Sequence, residues 1–343
     1  MTAPQELTLP APAGRADLLR WLIPVSGVAL LTLMFIRIGP GPILALIESI
    51  GFNLLIVVAV YGCHECVRAL ALSRCLVFGD RPPFRQLLRI RFLAETVRVL
   101  THTGPFLAEP ARAWMLARQG LAGARAYAAA VSELIANSAV SAAATVFVVG
   151  YALSATNLGS ELAVLSRVLF WASLIYTLAV VAALATRTYV IGGILRGMGA
   201  LPVIGRRLKT DPRKVRDMED AILHVLRDNP ATLAQVVLLE CLAQVILVFD
   251  NYWAIKSMGV AISMSTASLT EMLTKPVNIV QLVGITEGGY TFILGWLGMT
   301  AAVGFALSLV KRVRSLLVAA AGLVLLAQTA PTLHPTSDAV PRE

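Results

Sequence analysis

RVLTHTGPFLAEPARAW, residues Arg98 to Trp114, is the stretch on which the reading of this chain turns. It is mostly apolar, yet Gly104-Pro105 and Glu109-Pro110 interrupt it, and it carries an acid between two arginines. Long hydrophobic runs flank it. A second broken stretch, VGITEGGY, lies downstream at Val283 to Tyr290. Neither reads as an ordinary spanning helix, and neither looks like a soluble loop. Both set a glutamate beside small or helix-breaking residues at what should be membrane depth. Runs such as Trp21–Ile36 and Val164–Ala185 have too few polar positions to face water on any side. Of the 343 residues 57% are hydrophobic and 14% charged, where soluble domains carry roughly a quarter charged. The chain is therefore expected to be an all-α polytopic membrane protein.

The formal charge of +9 would suggest nucleic acid in a soluble protein. Here the bases cluster in a few connecting segments, as cytoplasmic loops beside anionic lipid do, so no nucleic-acid partner is expected. Cys63, Cys66, Cys75 and Cys241 show no secreted disulfide spacing. Residues 1–17 are polar and lack the basic-then-apolar form of a cleaved signal. A single transmembrane domain over residues 18–327 is predicted, with a polar tail, 328–343, expected to be disordered.

The first span runs from about Leu18 to Ile36, and Gly39-Pro-Gly-Pro42 then turns the chain. A second span covers about Ile50 to Leu72. Arg74, Arg81, Arg85, Arg89 and Arg91 follow, opposed only by Asp80, and give the first strong cytoplasmic signal. Arg112, Arg118 and Arg125 lie beyond the organising stretch, so a re-entrant hairpin turning at Gly104-Pro105 suits the charges better than a crossing. Ala126–Leu153 is a span rich in small residues that allow close helix approach, and Val164–Ala185 returns. Nine bases fall between Arg187 and Arg227. Within this basic segment, 187–230, Asp211-Pro212 has the form of a helix start, and Val215, Met218, Ile222 and Val225 recur at helical spacing. That amphipathic helix suits either the membrane surface or the side of the bundle.

Thr232–Ile255 spans next, and Ser263–Tyr290 is broken by Pro276, Gly284 and Gly288-Gly289. Thr291–Val310 spans, Lys311, Arg312 and Arg314 form a basic turn, and Leu316–Leu326 makes a short last span. Placing every basic block inside gives about seven crossings plus two re-entrant helical hairpins, with the N-terminus in and the C-terminus out. Eight or nine plain crossings are the alternative. Each half runs polar span, broken segment, long span, which suggests an inverted repeat with interrupted helices meeting near the midplane.

Glu109 and Arg112, three apart, share a helix face. They suit either a polar floor under a lipid head group, with Arg112 or Arg98 meeting an anionic group, or a mutual pair anchoring the hairpin. Glu287 sits at the other break as either a ligand group or a cap. Glu271 and Lys275 are spaced to neutralise each other. Glu133 and Asn137 share one side of their span, as do Glu240 and Gln244 of theirs, and either pair can line a groove or join helices. Cys63-His-Glu-Cys66 invites a metal reading, but zinc needs further converging ligands, with only His102 and Cys75 as candidates. No metal, cofactor or catalytic residue is assigned.

The chain resembles the transmembrane, flippase-like domain of lysylphosphatidylglycerol synthases and its stand-alone relatives, which include membrane proteins of hopanoid gene clusters. Pro105, Ala108-Glu109 and Arg112 match the first family motif, with Ala108 where glycine is usual and His102 near a commonly polar position. Gly284-Ile-Thr-Glu287-Gly288 looks like the second, without its preceding proline, and the arginine further on is similar to Arg312 or Arg314. The resemblance covers roughly Leu18 to Leu326. It implies a lipid-translocating protein of the bacterial inner membrane. In the full synthases a soluble C-terminal domain transfers an amino acid from charged tRNA, and none is expected in the short stretch after the last span. Two other classes stay open: a membrane partner of a cytoplasmic lipid-biosynthesis enzyme, docked on Arg187–Arg227, and a lipid-modifying enzyme using Glu109 and Glu287 as acid and base.

Overall fold

The computed structural model describes residues 32–77, 81–101, 105–156, 158–186, 212–280 and 282–329. The described residues form twelve helices and no strand. α1 (Thr32–Ile38) meets α2 (Pro40–Ile50) at a bend of 93°. Gly39 makes the bend at φ 95°, where a side chain would be strained, and Pro40 and Pro42 fall in the first turn of α2, where no backbone donor is needed. α3 (Asn53–Cys75), α6 (Gly123–Ala155), α7 (Ser160–Thr186) and α9 (Pro230–Ser257) are each long and apolar enough to cross a membrane, and the bent pair makes a fifth if it is one span. Phe147, Tyr151, Trp171, Ile175 and Leu238 stand exposed on these helices, an outer surface suited to lipid chains.

Two apolar cores mark the two ends of the bundle. One gathers Val57, Val149, Leu162, Ile255, Leu294 and Val303. The other gathers Leu72, Leu87, Leu116, Ala126 and Val236, beside the connecting segments that carry the arginines. α8 (Pro212–Leu226) buries Ile222, Val225 and Leu226 in this second core, at the basic end. Of the two placements open to that amphipathic helix, it takes the side of the bundle. Most of the basic segment before it, with His102, the N-terminal segment and the tail, lies outside the described residues.

Both broken stretches are helical hairpins. α4 (Phe84–Thr101) and α5 (Pro105–Ala117) form the first, α10 (Met264–Val280) and α11 (Ile285–Trp296) the second. At 1.5 Å per residue these helices are about 18–27 Å long, short of the roughly 30 Å hydrocarbon layer. The two arms of the second hairpin run side by side, for Val277 meets Gly289 and the Tyr290 hydroxyl meets Asn278 at 3.0 Å. Its tip is Gly284, at φ 84°, with its N–H donated to Glu287 Oε2 at 2.6 Å. Gly288-Gly289 therefore lie within α11 rather than at the break. Pro110 and Pro276 likewise sit inside their helices and do not end them.

The largest correction concerns the C-terminal part. α11 ends at Trp296, and a turn at Gly298 precedes α12 (Ala301–Thr329), which passes unbroken through Lys311, Arg312 and Arg314. There is no basic turn and no separate short last span. A helix can hold three bases at depth only if each finds a partner, and each does. α12 runs antiparallel to α4: the Thr96 hydroxyl donates to Ala319 O at 3.0 Å, and Gly322 lies against Phe92. Its C-terminal end therefore lies toward the start of α4, at the basic end of the bundle, and the ground for an external C-terminus is lost. Arg85, Arg89 and Arg91, read as loop bases, are helical residues of α4.

Glycines set how closely α12 approaches both hairpins. A Cβ on Gly304 would stand 2.6 Å from Tyr290 O, and one on Gly322 would stand 2.7 Å from Phe92 O. Gly322→Val should lower stability by about 1–3 kcal/mol through overpacking, whereas Gly295→Ala, with nothing within 4 Å, should not. Equal melting temperatures for the two variants would count against this packing. In a background lacking native cysteines, Gln119→Cys and Thr329→Cys should label from one side of sealed vesicles, and Thr156→Cys and Ser263→Cys from the other. If Thr329→Cys labelled with Thr156→Cys, the chain would have to turn at Lys311–Arg314.

Candidate functional site

The two hairpins, with α3, α6, α7, α9 and α12, line a partly open cavity of about 910 Å³. Its wall is charged although the helices that form it are largely apolar. Glu133 of α6, with 0% exposure, anchors one side. Arg68 of α3 approaches it to 2.7 Å, Arg91 of α4 to 3.0 Å and Arg112 of α5 to 2.7 Å. Arg91 also reaches Glu65 at 2.8 Å, and Arg68 reaches Glu240 at 3.7 Å. Arg112 pairs with Glu109 and donates to Ala130 O at 2.9 Å. A lone carboxylate at this depth is costly, and three guanidinium groups from three helices remove that cost.

The other side is built on α12. Lys311 meets Glu271 at 3.4 Å and the Tyr290 hydroxyl at 3.1 Å, Arg312 meets Glu287 at 2.5 Å, and Arg314 pairs with Asp250. The Arg314 guanidinium also lies 3.9 Å from the centre of the Tyr61 ring, a favourable cation–π arrangement. The Tyr61 hydroxyl donates to Glu95 at 3.0 Å and accepts from Arg98 at 3.2 Å, while Arg98 itself pairs with Glu95. The Tyr61 side chain thus links the first hairpin to α12.

Of the residues singled out in the sequence, Arg98, Glu109, Arg112, Asn137 and Arg312 line this cavity. Glu133, Glu240 and Glu287 stand behind its wall, paired to bases that do line it. Glu287 is a cap, as one of its two readings had it, and a partner of Arg312 as well. The polar pairs on α6 and α9 do meet, with Gln244 Nε2 donating to Asn137 Oδ1 at 3.4 Å. Glu271 and Lys275 form no direct ion pair with each other. Glu271 accepts from Asn251 at 2.6 Å and faces Lys311, while Lys275 donates to Ser141 and Gln244.

Tyr61, Glu65, Arg68, Arg91, Lys311 and Arg314 belong to the site without having been assigned to it. The sequence signal for the last two was spacing: on one continuous helix, residues three apart share a face. His64 and Glu65, met first as half of a metal motif, turn into the cavity wall, where His64 stacks on Tyr61 with ring centroids 5.3 Å apart.

Removing Glu133 would take from Arg68, Arg91 and Arg112 the one carboxylate they share and leave each with a single acid, Glu240, Glu65 and Glu109 in turn. Glu133→Ala should therefore destabilise the protein by about 3–5 kcal/mol, the usual result of breaking a buried ion pair from one side. Thermal unfolding in detergent reads this. A melting temperature unchanged from that of the wild type would remove Glu133 from the centre of the network.

Comparison with known proteins finds no match among curated sequences and none among solved structures. The profile of the lysylphosphatidylglycerol synthase TM region matches residues 21–322. The match takes in both hairpins, α12 through Gly322 and every charged residue of the cavity wall, and the chain belongs to the lysylphosphatidylglycerol synthase transmembrane-region family.

Proposed function

We propose that the protein moves a membrane lipid between leaflets, its polar head group passing through the charged cavity while its acyl or polycyclic part stays in the bilayer. The observation that carries this reading is the position of the cavity: about 910 Å³ with charged side chains in its wall, inside a bundle whose outer face is apolar. Two hairpins too short to span the membrane supply much of its wall. A transporter needs backbone breaks at depth only where they line protein or water, and the tip at Gly284 meets that condition through Glu287. Glu109 and Glu287 are each tied to an arginine near in sequence or in space, which favours a binding wall over a pair of catalytic acids.

In this reading the protein lies in the bacterial inner membrane. The basic end of the bundle faces the cytoplasm, as the excess of arginine there favours, and α12 ends on that side at Thr329. A cytoplasmic lipid-biosynthesis enzyme supplying the cargo would dock through the arginines of the 187–230 segment.

Arg98 and Arg312 line the cavity and keep 25% and 30% side-chain exposure, more than the other lining arginines, so they are the arginines best able to touch cargo. In proteoliposomes carrying a tail-labelled lipid, Arg98→Gln and Arg312→Gln should each slow translocation at least tenfold, roughly one lost charge-assisted contact. Each change takes the arginine from a buried carboxylate, Glu95 or Glu287, so translocation is compared at a temperature where the variant is still folded, and the loss should exceed any fall in folded protein. Unimpaired translocation in both variants would sink the proposal.

A further inference from the structure

Every base in the cavity wall but one can be given an acid of its own. Eight arginines and lysines line the wall, and eight carboxylates lie beside or behind them. Arg68 takes Glu133, Arg91 takes Glu65 and Arg112 takes Glu109. On the α12 side Arg98, Lys311, Arg312 and Arg314 take Glu95, Glu271, Glu287 and Asp250. One acid and one base are left over, Glu240 of α9 and Lys275 of α10. They form no ion pair with each other among the described residues.

Glu240 has 0% exposure. Arg68 is 3.7 Å from it and lies closer, at 2.7 Å, to Glu133. Neither oxygen of the Glu240 carboxyl accepts a hydrogen bond among the described residues. The other ionisable groups around it are Glu133 of α6, Arg91 of α4 and the Cys75 thiol of α3. Arg314 of α12 is taken up by Asp250 and Glu271 of α10 by Lys311, while α8 and α2 meet α9 in the apolar cores. Two carboxylates crowded on one guanidinium in a dry site repel each other, and a proton on one relieves both the repulsion and the desolvation. Glu240 is the one without donors, and once protonated it can give its O–H to Glu133 across Arg68.

Lys275 supplies the other half. It donates to Ser141 Oγ and Gln244 Oε1, both neutral. Gln244 stands one turn from Glu240 on the same face of α9. A shift of α10 along α9 by one turn, about 5 Å, would carry the ammonium from Gln244 to Glu240. The proton then leaves the Glu240 carboxyl for cavity water, and the carboxylate and the ammonium become the eighth pair.

We infer that Glu240 is a proton-binding site, and that it exchanges its proton for an ion pair with Lys275, so that movement of the second hairpin is coupled to protonation. The coupling rests on the lipid-transport reading and gives that transport a driving ion. The proton site itself does not depend on it.

Infrared spectra of the purified protein, in a detergent without ester groups, test the site. At neutral pH the wild type should show the C=O band of a protonated carboxylic acid, lost in Glu240→Gln and lost in the wild type as the pH is raised. Lys275→Met removes the pairing ammonium and should hold the band to higher pH. Glu240→Gln has the shape of the protonated acid and should melt like the wild type. A wild type without the band, or a Glu240→Gln variant that keeps it whole, overturns the inference. A clearly lower melting temperature for Glu240→Gln does so too, for Glu240 would then be an ion paired with Arg68. So does sodium that raises the melting temperature of the wild type but not of Glu240→Gln, for the site would then hold a metal ion. In proteoliposomes carrying a tail-labelled lipid, a pH difference across the membrane should change the translocation rate of the wild type severalfold, and Glu240→Gln should lose that dependence. A band together with translocation indifferent to the pH difference overturns the coupling. A band without any translocation upholds the proton site and defeats the transport reading, and translocation without a band defeats the proton site alone.

Discussion

The constraint on which this structure depends is the cost of holding a carboxylate where there is no water. Glu133 has 0% exposure and three arginines around it, one each from α3, α4 and α5. Without it each arginine would keep one acid of its own, but no single group would join the three helices. With it, both arms of the first hairpin are tied to α6 through Arg91 and Arg112, and apolar packing at the two ends completes the closure. Electrostatics positions the centre of the molecule and hydrophobic contact its ends.

α12 connects the two charged sides. Its glycines let it approach α11 through Gly304 and α4 through Gly322, and its bases at Lys311, Arg312 and Arg314 turn toward acids on three other helices. The second hairpin is held by that helix much as the first is held by Glu133. Arg314 on Tyr61, and Tyr61 on Glu95 and Arg98, carry the contact across from one hairpin to the other.

Much of this was legible in the sequence, and the rest was hidden for a definite reason. Length, apolar content and the two broken stretches gave the fold class and both hairpins. Glu109, Arg112, Asn137 and the glutamates of α6 and α9 stood out because a polar group on an apolar helix is conspicuous. The bases were harder to place. An arginine beside an apolar run looks alike whether it ends a helix at the membrane surface or faces an acid within the bundle. Arg314 meets an acid 64 residues away and Arg91 one 42 residues away, so no local pattern tells the two cases apart. Counting loop charges read Lys311–Arg314 as a turn. Helical spacing, residues three apart on one face, is the signal that this count passes over, and a continuous helix is what forms. His102 lies outside the described residues, so its place near the first motif stands as an expectation only.

The lengths of α6 and α7 carry a consequence of their own. At 1.5 Å per residue, α6 with 33 residues is about 50 Å long and α7 with 27 about 40 Å, both well beyond a hydrocarbon layer of about 30 Å. Helices that long lean, and how far they lean is set partly by the thickness of the bilayer around them. α7 buries only Leu162, Ala163 and Ser166, all near its start, and further along it meets α6 through the Tyr176 and Ser138 hydroxyls, 2.6 Å apart. Ser138, Ser173 and Tyr176 are also part of the cavity wall. A thinner or thicker host membrane would therefore act on that wall directly, making the annular lipid a mechanical component of the cavity as well as its surroundings.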